Sequence, residues 1–442
     1  MKKGRMFGWK TGRIAAAAVF LLLYGLAFSG MCAAAAPLLH AQFGPALMRC
    51  LAAFSLGALG TVLGIVLFTV LFGRFYCSVF CPFGILQDVI IFLSRRKAVS
   101  VPNLPGLRYA VAGVTLGLLF CGWSAGFLLL DPHTNAGRIT GAFAAGGFVP
   151  LLVIAALAVW KKRIFCTAVC PVGTLLGLSA RFGVFRLAIK GRCVKCGKCA
   201  RSCPAGCIDP ASGRLDNERC IRCMNCIAAC PLDSIGFVLP EHKEIPVNES
   251  RRAFLINGGL LLAGAAAGAA LAKAGLGKLE EFARNWKILP PGAGNAERFV
   301  SRCTGCQLCT QNCPAKIIDP AKGGGPVSLD LSRGHCHFDC NRCSQVCPTG
   351  AIRPLTLAAK QKTKIAEAHF NPQKCIVFQN DEKCGRCAAV CPVHAVLLRK
   401  NGTPRPVKTD LCIGCGACME ICPAPEKAMT VHAIEKQIHT EA

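Results

Sequence analysis

The sequence predicts a multidomain protein in which a polytopic α-helical membrane domain is joined to small α+β modules built around cysteine. Three observations lead to this fold class: long uncharged runs in the first half of the chain, six groups of four closely spaced cysteines, and an arginine pair followed by a further apolar run. The 442 residues include 32 cysteines, and 53% of residues are hydrophobic against 17% charged. This composition is typical of a membrane protein whose apolar residues are concentrated in one region.

The membrane domain is predicted over residues 1–190. Four uncharged runs follow one another there, at residues 14–36, 51–73, 109–130 and 141–160. A bilayer is crossed by about 20 helical residues. A buried helix of a soluble protein is the alternative for any single run, but four runs in series favour four membrane spans.

Lysine and arginine predict the orientation of these spans. Basic residues cluster before the first run, in residues 74–108 and from Lys161 onward, whereas the other two connections contain only Arg49 and Arg138. The positive-inside rule therefore places the N-terminus and residues 161–252 in the cytoplasm.

A cysteine motif follows the second and the fourth run. Its residues recur at a constant offset, as Arg74, Cys77, Cys81, Pro82 and Gly84 and as Arg163, Cys166, Cys170, Pro171 and Gly173. The repeat predicts two hairpins of one design, which would bring four thiols together at one membrane face. Three interpretations stay open for these cysteines: a further cluster or other metal, a thiol/disulfide redox pair, or buried structural residues.

The remaining cysteine groups have the spacing C-x2-C-x2-C-x3-C-P or a variant of it. The first two are Cys193, Cys196, Cys199 and Cys203, then Cys220, Cys223, Cys226 and Cys230. This spacing resembles that of bacterial ferredoxins with two 4Fe-4S clusters. Zinc sites and disulfides are the alternatives, but structural zinc sites use two cysteine pairs and require no third close cysteine. The module is predicted over residues 191–240.

The ferredoxin resemblance implies a ligand exchange between the two motifs, because the fourth cysteine of each motif ligates the other cluster. The expected sets are Cys193, Cys196 and Cys199 with Cys230, and Cys220, Cys223 and Cys226 with Cys203.

Four more motifs occupy a predicted domain at residues 299–430. They are Cys303, Cys306, Cys309 and Cys313; Cys336, Cys340, Cys343 and Cys347; Cys375, Cys384, Cys387 and Cys391; and Cys412, Cys415, Cys418 and Cys422. The first gap is longer in the second and third of these motifs. A disulfide framework is the alternative, but bridging geometry disfavours such close partners. Consecutive and nested pairing of the four motifs fit the sequence equally well.

The segment 248–276 contains Arg251 and Arg252 followed by an apolar run. It resembles a twin-arginine export signal placed inside the chain, and an ordinary fifth membrane span is the alternative. Both interpretations place the following residues in the periplasm. Ala272 ends a small-residue pattern that resembles a cleavage site. Residues 277–298 are predicted to be a linker, and residues 431–442 a tail.

Two family resemblances follow from these motifs. Residues 10–240, with four spans, two C-x3-C-P motifs and a two-cluster module, resemble the NapH-type membrane ferredoxins and related maturation proteins of nitrous-oxide reductase and cytochrome oxidase. Residues 250–430 resemble the NapG/MauM-type periplasmic polyferredoxins. The chain therefore resembles a fusion of the two in the bacterial inner membrane. The resemblance implies that six 4Fe-4S clusters carry electrons from membrane quinol to a periplasmic reductase or cytochrome, with nitrate reductase the leading acceptor.

A quinol site would need proton acceptors near a membrane edge. His40, Asp131 and His133 fall at the predicted periplasmic ends of the spans. A capping or loop role is the alternative for residues at helix ends.

Two rival functions stay open: a maturation factor that donates electrons to the metal centres or thiols of another enzyme, and an iron–sulfur redox sensor. Nucleic acid is not an expected partner, despite the formal charge of +28, because no basic stripe is interleaved with aromatic residues. A nucleotide is not an expected partner either, because the sequence has no phosphate-binding glycine loop of the P-loop type.

Four cysteines fall outside all of these motifs. Cys32, Cys50 and Cys121 have no partner spacing, and we expect inert buried thiols there. Cys207 is predicted to be a small packing residue.

Overall fold

The computed structural model describes residues 2–28, 36–53, 56–94, 101–121, 124–141, 148–190, 193–209, 211–239, 247–284, 287–303, 305–319, 326–347, 349–380, 383–399 and 403–439. The chain divides into two compact units, Met1–Ala274 and Gly275–Ala442. Cys32 lies outside the described residues.

The first unit begins with a helical region. Its helices are α1 (Lys2–Phe28), α2 (Ala36–His40), α3 (Phe43–Ala53), α4 (Leu56–Phe72), α5 (Tyr76–Val79), α6 (Pro82–Ser94), α7 (Pro105–Phe120), α8 (Ser124–Leu130), α9 (Pro132–Gly141), α10 (Phe148–Lys161) and α11 (Pro171–Arg181), with a π-helix at Phe165–Val169. Proline begins α6, α7, α9 and α11, where its missing N–H would be unpaired anyway. The proline of each C-x3-C-P motif thus starts a new helix.

Within the described ranges, two helices are long and apolar enough to cross a membrane, at Gly8–Ala27 and Arg252–Lys273. The apolar helices α4, α6, α7 and α10 are shorter. The third predicted span is divided, because α7 ends at Phe120 and α8 begins at Ser124. Four spans over residues 1–190 therefore stay a prediction.

A small α+β module follows the helical region. Its elements are β1 (Arg186–Ile189), α12 (Lys198–Ser202), β2 (Ile208–Asp209), β3 (Arg214–Leu215), α13 (Asn225–Ala229) and β4 (Ile235–Val238). Strand β1 pairs antiparallel with β4, and β2 with β3. The buried cysteines of this module belong to the same core as those of the helical region.

Helix α14 (Val247–Arg284) packs on α7 through glycine. A Cβ added at Gly117 would lie 2.1 Å from the Ala265 carbonyl oxygen, and one at Gly268 would lie 2.2 Å from that of Val114. The two backbones therefore touch, as in helix pairs joined by small residues. Ala272 is buried. This packing favours a retained helix over cleavage near Ala272.

The second unit contains α15 (Ala296–Arg302), α16 (Leu308–Gln311), β5 (Ile318–Asp319), β6 (Ser328–Leu329), α17 (Arg342–Val346), α18 (Leu357–Gln361), β7 (Thr363–Phe370), α19 (Ile376–Gln379), α20 (Arg386–Ala389), α21 (Ala417–Glu420) and β8 (Met429–His439), with 3-10 turns at Leu331–Arg333 and Pro372–Lys374. Strands β5 and β6 pair, and so do β7 and β8.

Two predicted boundaries in this unit are wrong. Residues 431–442 are not a tail, because β8 runs to His439 and pairs antiparallel with β7. Residues 277–298 are not a linker, because α14 continues to Arg284 and Ala293 is fully buried in the core of the second unit. The glycines and prolines at 290–294 form a turn that Gln437 of β8 binds through its side chain.

Candidate metal centres

The four regular cysteine motifs share one backbone conformation. The second and fourth residues after the first cysteine have positive φ in every case: Lys195, Gly197, Arg222, Met224, Gly305, Gln307, Gly414 and Gly416. L-residues other than glycine rarely adopt this conformation. Such alternation of backbone conformations turns successive N–H groups into one concave surface, which binds anions and occurs at many iron–sulfur sites.

The first module forms two sets of four cysteines. Cys193, Cys196, Cys199 and Cys230 line one cavity and are here called site A. Cys220, Cys223, Cys226 and Cys203 interact electrostatically within a second set, here called site B. Each set has the composition that the ferredoxin resemblance implies. The sites differ in exposure, because Cys193 and Cys196 are exposed and all four site B cysteines are buried.

The second unit forms four sets by the same exchange between consecutive motifs. Site C contains Cys303, Cys306, Cys309 and Cys347; site D contains Cys336, Cys340, Cys343 and Cys313; site E contains Cys412, Cys415, Cys418 and Cys391; and site F contains Cys375, Cys384, Cys387 and Cys422. The structure therefore pairs consecutive motifs and does not have the nested pairing. Burial, with smaller contributions from the neighbouring Cys306 and Cys347, raises the pKa of Cys303 to about 12.

The four sites of the second unit follow one another in the order C, D, E, F. Cys309 of site C interacts with Cys343 of site D. The Cys336 N–H of site D donates to the Cys415 carbonyl of site E at 2.8 Å. Cys418 of site E interacts with Cys387 of site F. Each site therefore neighbours the next in the series C, D, E, F.

The two irregular motifs keep their first cysteine at the site. Cys336 is held by Lys360, whose ammonium is buried and donates to the His337 and Phe338 carbonyls inside the longer gap. The gap after Cys375 contains α19, and Cys375 is buried beside Cys422. The extra residues therefore form local structure and leave the cysteine in place.

Cys207 does more than pack. Its thiol lies 3.4 Å from the Cys203 thiol of site B and also hydrogen-bonds Cys220. The hydrogen bond from Cys207 lowers the pKa of Cys203 to about 6. Cys207 is thus buried in the core, as expected of a packing residue, and the turn after Cys203 also returns its side chain to site B.

The structure brings Cys77, Cys81, Cys166 and Cys170 together in one buried group, here called the four-thiol site. The two copies of the motif hold each other reciprocally. Arg74 Nη2 donates to the Cys166 carbonyl at 2.9 Å, and Arg163 Nη1 donates to the Cys77 carbonyl at 3.0 Å.

Several donors point at these sulfur atoms. The Gly84 N–H lies 3.4 Å from Cys81 Sγ, and the Gly173 N–H lies 3.3 Å from Cys170 Sγ. Gln87 Nε2 lies 3.1 Å from Cys166 Sγ. Hydrogen bonds to sulfur stabilise thiolate in preference to thiol.

The charges around the four-thiol site are unequal. Arg74 and Arg163 are completely buried. Asp88 pairs with Arg163 at 2.6 Å and with Arg13 at 3.3 Å. No carboxylate among the described residues pairs with Arg74, whose electrostatic partners are Cys77, Cys166 and Cys170. Arg74 and Arg163 both interact with Cys166, and the one carboxylate of Asp88 is shared between Arg163 and Arg13, so the charges beside the sulfur atoms are net positive.

Arg74 also connects the four-thiol site to site B. Its Nη1 lies 3.3 Å from the Glu218 carbonyl, two residues before Cys220. The Glu218 carboxylate pairs with Arg108 of α7 at 2.9 Å. Arg222, inside the site B loop, is completely buried against Gly73. Site B thus faces the helical region, and site A faces solvent.

The predicted quinol residues have structural partners. His133 Nδ1 lies 2.9 Å from the Tyr24 hydroxyl, and both residues are buried. Asp131 accepts hydrogen bonds from Thr134 N–H and Oγ1 at the start of α9, which is the capping role left open by the sequence. The His40 side chain lies outside the described residues.

Sequence reasoning missed the residues that surround the four-thiol site. Arg74, Arg163 and Arg108 enter the sequence analysis only as basic or repeated positions without a role at this site, and Gln87 and Asp88 do not enter it. A charged residue inside an otherwise apolar helix is a signal that could have identified Asp88.

The six cysteine sets fit four-iron clusters. Every set supplies four thiols from two motifs, and the four regular loops add concave N–H surfaces suited to an anion. Among the described residues, no group of three or more histidine, cysteine, aspartate or glutamate side chains is placed to hold a single metal ion. The class of protein that these sites define is a ferredoxin-type protein with several iron–sulfur sites.

Comparison with known families agrees with the cysteine sets. A 4Fe-4S binding domain matches residues 54–99 and 143–190, which include both C-x3-C-P motifs. 4Fe-4S dicluster domains match residues 216–317, 302–352, 186–231 with 369–423, and 335–395. No solved structure matches the chain.

Three relatives are ferredoxin-type proteins. The chain is 34% identical to "Ferredoxin-type protein NapF" of Escherichia coli K12 over 31% of this chain and 80% of that protein. It is 29% identical to "Ferredoxin-type protein NapG" of the same strain over 38% and 80%, and 29% identical to "Methylamine utilization ferredoxin-type protein MauM" of Methylorubrum extorquens over 42% and 90%. The chain belongs to this family of ferredoxin-type 4Fe-4S proteins and is a polyferredoxin.

Proposed function

We propose that this polyferredoxin is a multi-pass protein of the bacterial inner membrane that carries electrons from quinol to a periplasmic oxidoreductase. The single observation that carries the proposal is that the cysteine sets form two series of neighbouring sites, one in each unit. Site A, site B and the four-thiol site are consecutive in the first unit, and sites C to F are consecutive in the second. Six 4Fe-4S clusters at sites A to F would make each unit an electron relay. Nitrate reductase is the leading acceptor, by the NapH-like and NapG-like sequence motifs.

The four-thiol site is proposed to hold a seventh metal–sulfur centre. Its support is the buried charge of Arg74, since a buried guanidinium is strongly unfavourable without an opposite charge. A disulfide or four neutral thiols would leave Arg74 uncompensated. Four thiolates around a metal–sulfur centre supply negative charge beside Arg74 Nη2, which lies 3.9 Å from Cys77 Sγ.

The membrane part of the proposal places sites A and B in the cytoplasm and sites C to F in the periplasm. Its support is the distribution of lysine and arginine and the two apolar helices at Gly8–Ala27 and Arg252–Lys273. Cysteine accessibility tests this topology. In intact spheroplasts with the clusters removed, a membrane-impermeant thiol reagent should label Cys384 of site F and leave Cys193 of site A unlabelled; the reverse pattern would invert the topology.

Iron and sulfide counting of the purified protein tests the number of centres. Six clusters predict about 24 iron atoms per chain, and a seventh four-iron centre predicts about 28. The Cys77→Ser/Cys166→Ser double variant should lose only the iron of the seventh centre and keep the iron of the other six. An unchanged iron content in this variant would remove metal from the four-thiol site.

The same double variant separates the respiratory function from a maturation function. If the protein is a quinol-linked relay, the variant should lose quinol-driven reduction of the periplasmic sites while dithionite still reduces them. Intact quinol-linked electron flow with failed maturation of a partner enzyme would support the rival function instead. His133→Ala tests the predicted quinol site in the same assay.

A further inference from the structure

An apolar cavity lies on the first unit beside site B. It has a volume of about 520 Å³, within the range of small-molecule sites, and nearly all of its lining is apolar. One wall is the face of α1 formed by Gly8, Gly12 and Ala16, which recur every four residues and so share one side of the helix. The opposite wall includes Met224 and Phe237 of the cysteine module.

The cavity contains one cationic side chain. Arg13 lines the cavity and is buried, with an exposed fraction of 9%. Its Nη1 donates to the Ser78 carbonyl at 3.2 Å and pairs with Asp88, but its Nε has no hydrogen-bond partner among the described residues. A guanidinium carries several N–H donors and no acceptor, so it favours an oxygen acceptor nearby. The cavity therefore suits an apolar molecule that carries an oxygen acceptor.

The position of Met224 connects the cavity to a redox centre. Met224 lies between Cys223 and Cys226 in the loop of site B, and its positive φ is part of that loop's conformation. A molecule in the cavity would be separated from site B by this one residue. The Tyr24 and His133 pair lies eleven residues farther along α1, which is about 16 Å at 1.5 Å per residue.

We propose that this cavity is the quinol-binding site and that site B is the first electron acceptor. The inference rests on the proposed function and changes its geometry: quinol reacts at the site B end of α1 and not at the His133 end. Phe68, Phe72 and Phe75 contact the quinol ring and the start of its tail, and the Arg13 guanidinium donates to a ring oxygen. A cluster held by the site B cysteines would accept one electron at a time. Oxidation of one quinol to quinone would therefore need two transfers, with the first electron passing on to the next site before the second arrives, and the two quinol protons would go to water at the open side of the cavity.

Gly12→Phe tests the site. A Cβ at Gly12 meets no atom within 4 Å, so a larger side chain fits the helix and enters the cavity. Gly25→Phe is the matched control, because Gly25 also meets nothing within 4 Å and lies on α1 outside the cavity. We expect Gly12→Phe to slow quinol-driven reduction at least about tenfold at unchanged reduction by dithionite, and Gly25→Phe to match the wild type.

A photoreactive azidoquinone gives a second readout on the full-length protein in lipid nanodiscs. It should label α1 near Gly12 or the loop around Met224, and Arg13→Gln should weaken the labelling. Labelling near Tyr24 and His133, or wild-type reduction rates in Gly12→Phe, would overturn the inference. If the azidoquinone labels the cavity but quinol fails to reduce the wild-type clusters, the site stands and the proposed function fails.

Discussion

The two C-x3-C-P hairpins have the same backbone plan but different surroundings. Each contributes an arginine to the other hairpin and a glycine N–H to its own second cysteine, so the inner shell of the four-thiol site is close to twofold symmetric. Outside that shell the equivalence ends. Gln87 and Asp88 of the first hairpin correspond to Leu176 and Gly177 of the second.

The two positions that break the symmetry contact different neighbouring groups. Asp88 pairs with Arg163 and Arg13 on the side of the cavity. Gly177 leaves room for Arg108, whose Nη2 would lie 1.9 Å from an added Cβ, and Arg108 pairs with Glu218 on the side of site B. The difference teaches that a duplicated hairpin can keep one shared centre and direct its two sides to different partners.

The largest expected effect is from Arg74→Met, and its sign distinguishes the states of the four-thiol site. If the site is anionic, losing Arg74 leaves buried negative charge and destabilises the first unit by about 3–5 kcal/mol. If the thiols are neutral or disulfide-bonded, removing an uncompensated buried cation should stabilise the protein instead. Denaturant unfolding of the purified protein in detergent, with Arg74→Lys as the control that keeps the charge, measures this sign.

Gly84→Ala and Gly173→Ala test the symmetric inner shell as a pair. An added Cβ would lie 2.4 Å from the Cys77 carbonyl oxygen in the first case and 2.5 Å from that of Cys166 in the second. Both contacts are with backbone, so we expect both variants to lose the seventh increment of iron equally. A loss in only one variant would show that the two hairpins do not contribute alike.

Asp88→Asn tests the asymmetric charge on the cavity side. Removing the Asp88 carboxylate that pairs with Arg13 and Arg163 makes the surroundings of the four-thiol site more positive, which favours the reduced state of a centre there. Its reduction potential should therefore rise, while that of site A should not change. Redox titration followed by electron paramagnetic resonance measures both, and Asp209→Asn in the exposed β2 turn is the control.

Cys207→Ala tests the fifth thiol beside site B. The Cys203 pKa of about 6 has the Cys207 hydrogen bond as its main cause, so Cys203 stays a thiolate down to about pH 6. Without Cys207 the Cys203 pKa rises toward its ordinary value, and cluster reconstitution at site B should fail at a higher pH than in the wild type. Reconstitution yield against pH measures this shift. Cys121→Ala should leave the profile unchanged, because Cys121 caps the C-terminus of α7, belongs to none of the six sets and is exposed, not buried as the sequence predicted.

The smallest effect is expected from Gln87→Leu, which gives the first hairpin the residue of the second. It removes one hydrogen bond to Cys166 Sγ, worth about 1 kcal/mol. We expect a small fall in the reduction potential of the four-thiol centre without loss of iron. Iron loss in this variant would mean that the amide is needed for assembly.

Cysteine spacing determined three ligands each of sites A and B, and its resemblance to ferredoxins implied the fourth ligand and the class of this protein. Three ligands of each set lie within seven residues of the chain, so their geometry is local and can be read from the motif. The β7–β8 pairing and the burial of Ala293 were not read correctly, because both depend on contacts between residues far apart in the chain.

Only the tertiary structure decided how the sites are connected. The choice of consecutive over nested exchange, the reciprocal arginines, and the contact of Arg74 with both Cys166 and the Glu218 carbonyl join segments separated by long stretches of sequence. A sequence repeat predicts that two hairpins have similar structures, but their packing determines which charged side chains lie around the site between them. Burial then decides that Arg74 requires a negative partner, because the same guanidinium in water would need none.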